Sequence, residues 1–270
     1  MKPSYIKLFL EFNENDSLPW IRKDRFHIWK GKNPIPQQDF NDTKEILERD
    51  CKPFLSLLIS SNEQNPKTRS LFFRGYRRGS QGLGKGNKGL YKKERRDDRR
   101  PKDTDIDVQI AIDDKFEQKF GYRLRSEGIF TTKSTSTSEQ YGWPYIFFPI
   151  GDFDFFYSDT ITDLFNEIDS NDWYYYVSSK ENRDFLIDYL EFKHGYVPED
   201  FEDKEEYEKK LDDAHDELMD EYDTFLFDVE RSYKKGTDFS EVKNQETIFI
   251  CDEYYLLDPK YIEDIIYWIL

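Results

Sequence analysis

Phe130-Thr131-Thr132-Lys133-Ser134-Thr135-Ser136-Thr137-Ser138 carries seven hydroxyl-bearing side chains in nine residues. It continues the short β-forming run Ile129-Phe130 and then becomes a block of hydroxyl-bearing residues, so a strand hands over to a polar segment. Ser134 or Thr135 is placed there to cap a short helix reaching Gln140. Two residues elsewhere share this context: Arg74, directly after Leu71-Phe72-Phe73, and Glu246, directly before Thr247-Ile248-Phe249-Ile250. Each sits beside an apolar run that reads as a buried strand, so the three polar groups are expected to converge at strand ends in one cleft. Taken singly, each has a plain structural reading, as strand-end ion pair, helix cap or exposed strand start. Their order and shared context carry the functional one.

At 270 residues the chain is long enough for one large domain or a domain with an extension. Aromatic residues make up 17% of it, so Phe and Tyr must supply much of the core volume. Residues 1–5 lack the apolar region of a signal peptide and no run approaches a membrane span, so a soluble chain acting in the cytoplasm is expected, with no membrane partner. Two cysteines and three scattered histidines make neither a disulfide framework nor a ligand cluster, and no metal is expected.

The net charge of −16 argues against sequence-blind nucleic-acid binding. The charge is also polarised. Residues 199–230 hold sixteen acidic and three basic residues, whereas 67–102 hold fourteen basic and three acidic. The basic segment contains a Gly-rich stretch, 79–89, with neither a Gly-Lys-Ser/Thr nor a G-x-G-x-x-G, so P-loop and Rossmann readings are excluded and a solvated loop is expected.

Along the chain, residues 5–12 read as a strand, and a helix capped by Asn41 or Asp42 runs through Leu58 with a break or kink at Pro53. A helix over 106–120 ends at Gly121. Pro144-Tyr145-Ile146-Phe147-Phe148-Pro149-Ile150 reads as a buried strand, and Ser158-Asp159-Thr160 as the cap of a helix through Ile168. Trp173-Tyr174-Tyr175-Tyr176-Val177 reads as a further strand or a recognition surface, and 182–192 as a helix ended by Gly195. In the acidic segment Tyr207, Leu211, Ala214, Leu218, Tyr222, Phe225 and Val229 recur every three or four residues, giving one long amphipathic helix or a helix pair with one packed side.

The trio of Arg74, the Phe130-x-Thr132-x-Ser134 element and Glu246 resembles the R-S-E signature of the arginine-type ADP-ribosyltransferases. The run R-x-D-R-x-P at Arg96, the F-G-x-x-x-R-S at Phe120, and Tyr141-Gly142 are similar to a group of phage and large-virus proteins that carry the same trio. The resemblance covers about 65–258. It implies an α+β fold, a split, mostly antiparallel β-sandwich core with surrounding helices and an acidic helical insertion at about 196–235. Residues 1–65 then form an N-terminal strand and helical region packing on the core, and 66–270 the transferase-like domain.

The same resemblance implies NAD as co-substrate and mono-ADP-ribosyl transfer to a macromolecular acceptor. A host protein is the expected acceptor, and nucleic acid the disfavoured one. Glu246 is the implied catalytic carboxylate, stabilising the oxocarbenium-like ribose, with Arg74 on the phosphate and ribose side and Gly75 beside the nicotinamide amide. Thr132 and Ser134 hold ribose and Glu246 in register. Thr132 stands where the family has its first Ser, keeping the hydroxyl. Asn244 stands where arginine-specific members carry the acceptor-activating Glu, so the resemblance does not extend to arginine as acceptor. Two alternatives remain open, a non-catalytic virion-associated or interaction protein that keeps the fold, and an NAD glycohydrolase. The implied place of action is the host cytoplasm or the virion.

Overall fold

The computed structural model describes residues 37–64, 71–77, 89–97, 99, 104–180, 182–197, 201, 203–243 and 245–269. The strand expected over 5–12, most of the Gly-rich stretch and Asn244 lie outside the described residues. The architecture is α+β, with eight strands in one antiparallel sheet and helices packed around it. The strands are β1 (Phe73–Tyr76), β2 (Leu90–Glu94), β3 (Ile129–Thr132), β4 (Trp143–Ile150), β5 (Asp154–Ser158), β6 (Tyr233–Lys235), β7 (Glu246–Ile250) and β8 (Glu253–Leu257). Their order across the sheet is β2-β8-β4-β1-β3-β7-β5-β6.

The expected pair of separate small sheets is therefore one ladder, but it carries a seam. β1 runs beside β4 over four residue pairs, whereas it meets β3 at the single pair Phe73↔Thr132. Two four-stranded halves thus join at one point, and the backbone of Arg74, Gly75 and Tyr76 pairs on its β4 side. β4, in the interior of its half, buries Tyr145, Ile146, Phe147 and Phe148 consecutively, because both faces of the sheet are covered there.

Helices α1 (Gln37–Asp50) and α2 (Lys52–Gln64) cover one side. The helix starts earlier than its expected cap, and the break falls at Cys51. Pro53 is tolerated in the first turn of α2, where its missing N–H has no helical partner to lose. α2 drives Phe54 into a ring cluster with Phe72, Phe147, Phe148, Phe153, Phe239 and Phe249, so this helical region packs directly on the sheet. The closing helix α10 (Ile262–Ile269) adds Ile265 and Ile269 to the same core.

A second core lies between the sheet residues Phe156, Ile248 and Ile250 and a helical layer. That layer contains α3 (Ile106–Phe120), α4 (Leu124–Glu127), α6 (Leu164–Asp169), α7 (Asp172–Ser178), α8 (Arg183–Tyr189) and α9 (Lys204–Ser232). The helix α5 (Thr135–Tyr141) packs instead on β1, at the seam. α3 spans the expected residues, capped by Asp105 and ended by Gly121 at φ 78°, a left-handed turn where glycine carries no Cβ penalty. α8 continues as a π-helical turn, Leu190–His194, to Gly195.

Two expectations are corrected. Trp173–Val177 is neither strand nor surface patch but part of α7. Trp173 and Tyr176, three apart, share a helical face, and Trp173 packs 4.8 Å from the ring of Tyr222. The β-forming character of the aromatics yields there to packing against α9. Ser158 ends β5, which the sequence reading missed, and its hydroxyl accepts from the N–H groups of Thr160 and Ile161. The cap of α6 is Asp163, accepting from Phe165 and Asn166. The acidic segment is a single helix, one of the two forms expected, and Leu226 joins its stripe beside Phe225, whose ring packs 4.8 Å from that of Trp173. It packs along α3, α7 and α8, so it forms a wall of the second core. Among the described residues no helix is long and apolar enough to cross a membrane.

Candidate functional site

The seam opens into a cleft of about 580 Å³, a volume within the range of small-molecule sites. Arg74, Gly75, Thr132 and Glu246 all line it, with Arg77, Arg99, Arg125, Tyr141 and Asp163 among its other walls. The local sequence explains the convergence. β1, β3 and β7 are neighbours, and Thr132 lies directly opposite Glu246 in the antiparallel register, so the two side chains share one sheet face. Arg74 reaches across the seam, its Nη1 donating to the backbone oxygen of Phe130 at 3.2 Å. That bond spans the part of the ladder where β1 and β3 no longer pair.

Ser134 is placed differently from its neighbours. Its hydroxyl accepts from the N–H of Thr137 at 3.2 Å and bonds Ser136, capping α5, and Ser134 is not among the cleft's lining residues. Its own N–H donates to the Thr132 hydroxyl at 3.1 Å, so it acts on the cleft through Thr132. Lys133 turns to the first core, where its buried ammonium donates to the carbonyls of Phe239 and Val242 at 2.6 and 2.7 Å. Burial lowers its pKa to about 8. Gly75 has a packing reason as well: a Cβ there would lie 2.1 Å from the carbonyl oxygen of Ser138, so α5 rests directly on the strand.

Five residues to which the sequence alone assigns no role complete the site. Tyr233, fully enclosed, donates its hydroxyl to Oε1 of Glu246 at 3.2 Å. Tyr141 bonds Asp163, the cap of α6, and Arg99 and Arg125 stand over the ring of Phe130. Arg99 and Arg125 lie inside motifs already visible in the sequence, but nothing local says that those motifs meet.

Burial pushes the Glu246 carboxyl up to about 7; Arg125 opposes the shift, Asp163 adds to it, and the Tyr233 hydroxyl and Arg99 draw it back. Arg99 is lowered to about 10 by burial and by the nearby charges of Arg74 and Arg125, which leaves it cationic at neutral pH. The raised carboxyl has a stability signature. Between about pH 4.5 and 7 the folded protein holds this proton more tightly than the unfolded chain, so its contribution falls as pH rises through that window. Glu246→Gln is therefore expected to gain in melting temperature over wild type on going from pH 5 to pH 8. A difference that stays constant across that range would show that Glu246 titrates as an exposed carboxylate.

Among the described residues no group of three or more His, Cys, Asp or Glu is arranged to hold a metal ion. Compared with known proteins, the chain matches no family model, no curated protein and no solved structure.

Proposed function

We propose that the cleft binds NAD and that the protein transfers its ADP-ribosyl group to a macromolecular acceptor, a host protein, on a fold of the ADP-ribosyltransferase type. One observation carries this reading: Arg74, Thr132 and Glu246, far apart in sequence, come from three adjacent strands to line one cleft at a seam in the sheet. The seam between two four-stranded halves supports the split-sheet type.

In the reaction the bond between ribose C1′ and the nicotinamide nitrogen breaks, and its electron pair neutralises the departing pyridinium. Positive charge then spreads over C1′ and the ring oxygen until the acceptor's nucleophile bonds C1′ and loses its proton. Glu246, as the carboxylate, stabilises that charge and accepts from the ribose 2′-hydroxyl, an interaction that strengthens in the transition state. Tyr233 fixes its orientation. The Thr132 hydroxyl, held by the Ser134 N–H, positions the ribose, and Arg74 offers its planar fork to the phosphate side. Because the carboxylate form is required, turnover should rise with pH through about 7.

The test is nicotinamide release and label transfer from tagged NAD into lysate proteins. Labelled protein supports transfer, and nicotinamide release without label identifies a glycohydrolase. Wild-type protein that binds no NAD and releases no nicotinamide with any lysate overturns the reading and leaves the non-catalytic alternative. Arg74→Ala is expected to weaken NAD binding by roughly tenfold or more, since a charge-assisted bond is lost, with a smaller change in turnover at saturating NAD. Unchanged affinity in that variant, measured by titration calorimetry, would remove Arg74 from the site.

A further inference from the structure

One corner of the cleft is built with more care than Arg74 and Glu246 need. The guanidinium of Arg99 lies 4.4 Å from the centre of the Phe130 ring and that of Arg125 lies 5.5 Å from it. Both arginines are held by their backbones. Gln109, on α3, donates to the carbonyl oxygen of Arg99 at 3.1 Å and to the hydroxyl of Ser126 at 3.0 Å. Asp113, one turn on and fully buried, accepts from the N–H of Arg125 at 2.7 Å and from the Ser126 hydroxyl at 2.6 Å. The side-chain heads are left much freer. Arg125, only 9% exposed, donates through Nη2 to Thr104 at 3.2 Å, while its Nε, like Nη1 of Arg99, is buried with no hydrogen-bond acceptor. Among the described residues neither arginine has a carboxylate within ion-pair distance.

The charge balance points the same way. Arg74 joins Arg99 and Arg125 in lining the cleft; of the lining carboxylates Glu139, Asp163 and Glu246, Asp163 already serves Tyr141 and the start of α6, and Glu246 accepts from Tyr233. The two forks, that of Arg125 buried and that of Arg99 half-buried, repel one another, and an anion between them relieves that repulsion.

We propose that Arg99 and Arg125, with Thr104 and the face of Phe130, form a phosphate-ester subsite that takes a diphosphate-bearing ligand. Each fork can donate to phosphate oxygens, and α3, through Gln109 and Asp113, fixes where the two arginine backbones stand. The diphosphate is either that of the nucleotide substrate or a phosphate carried by the acceptor. The subsite stands on its own geometry, whether or not the ADP-ribosyl reading holds.

The experiment is calorimetric titration of the full chain with inorganic pyrophosphate, for wild type, Arg99→Met and Arg125→Lys, each checked first for an intact melting transition without ligand. Wild type is expected to bind pyrophosphate with a salt-dependent affinity, weakened at least about tenfold in Arg99→Met. In Arg125→Lys the charge remains but the fork is lost, so an intermediate loss is expected. Should Arg125→Lys fail to fold, Arg99→Met, at a less buried position, carries the test. Repeating the titration on protein saturated with ADP-ribose assigns the source: competition identifies the nucleotide's own diphosphate, and unaltered pyrophosphate binding identifies a phosphate on the second substrate. Pyrophosphate binding equal in all three proteins, or absent from wild type, overturns the subsite. NAD turnover with no loss of pyrophosphate binding in the variants would retain the proposed reaction and discard this inference alone.

Discussion

On the proposed reaction, Glu246→Gln is expected to leave NAD affinity close to that of wild type while cutting turnover by roughly a hundredfold or more. Glutamine is nearly isosteric and keeps an oxygen for the Tyr233 hydroxyl and the ribose, so the ground-state complex loses little. What it loses is the negative charge facing a cation that exists only in the transition state, and an interaction of that kind appears in kcat rather than in binding. The measurement is kcat and Kd side by side, at pH 8, where the wild-type carboxyl is largely ionised. Near pH 5 the gap should narrow, because the wild-type group is then mostly protonated. Equal turnover at pH 8 would move the catalytic carboxylate elsewhere. The candidates would be Glu241, which accepts from Tyr157 at 2.8 Å, and Glu253, paired with Lys92 at 2.7 Å, though neither lines the cleft.

Phe54→Ala is expected to destabilise the protein by about 3–5 kcal/mol, the range for removing a large buried aromatic. Phe54 has no exposed surface and meets six other phenylalanine rings with centroids 5.2 to 6.5 Å away, mostly edge to face. The partners come from β4, β7, the segment before β1, the turn between β4 and β5 and the turn Phe239–Glu241, which are fixed to the sheet and cannot collapse fully into the space. The melting temperature should fall by on the order of 10 °C. A fall of about 2 °C or less would mean that α1 and α2 are only loosely joined to the sheet. Since Phe239 also offers its carbonyl to Lys133, the loss should be felt at the loop after β3 before global unfolding.

Much of the local structure was legible because local rules dominate where it is correct. Gly121 ends α3 by its left-handed turn, and Ser134 caps α5 from a polar run. The heptad-like recurrence from Tyr207 to Val229 needs a helix whatever lies beside it. Local rules failed where a segment's partner decides its form. The run 173–177 is rich in β-forming residues and became helix because α9 offers Trp173 a groove. Residues 154–158 became a strand because β7 and β6 present free edges to them.

The candidate site divides along the same line. Arg74, Thr132 and Glu246 can be placed next to apolar strands without a structure, because burial of one residue and polarity of its neighbour are written in adjacent letters. That β1, β3 and β7 are adjacent, that Ser134 spends its hydroxyl on a helix cap, that Arg99 and Arg125 line the same cleft and that Tyr233 bonds Glu246 all follow from the packing of the whole chain. Strand order is set by how non-local faces pack, and a pKa by which charges and how much protein surround a group. Neither is a property of any stretch of chain short enough to be read alone.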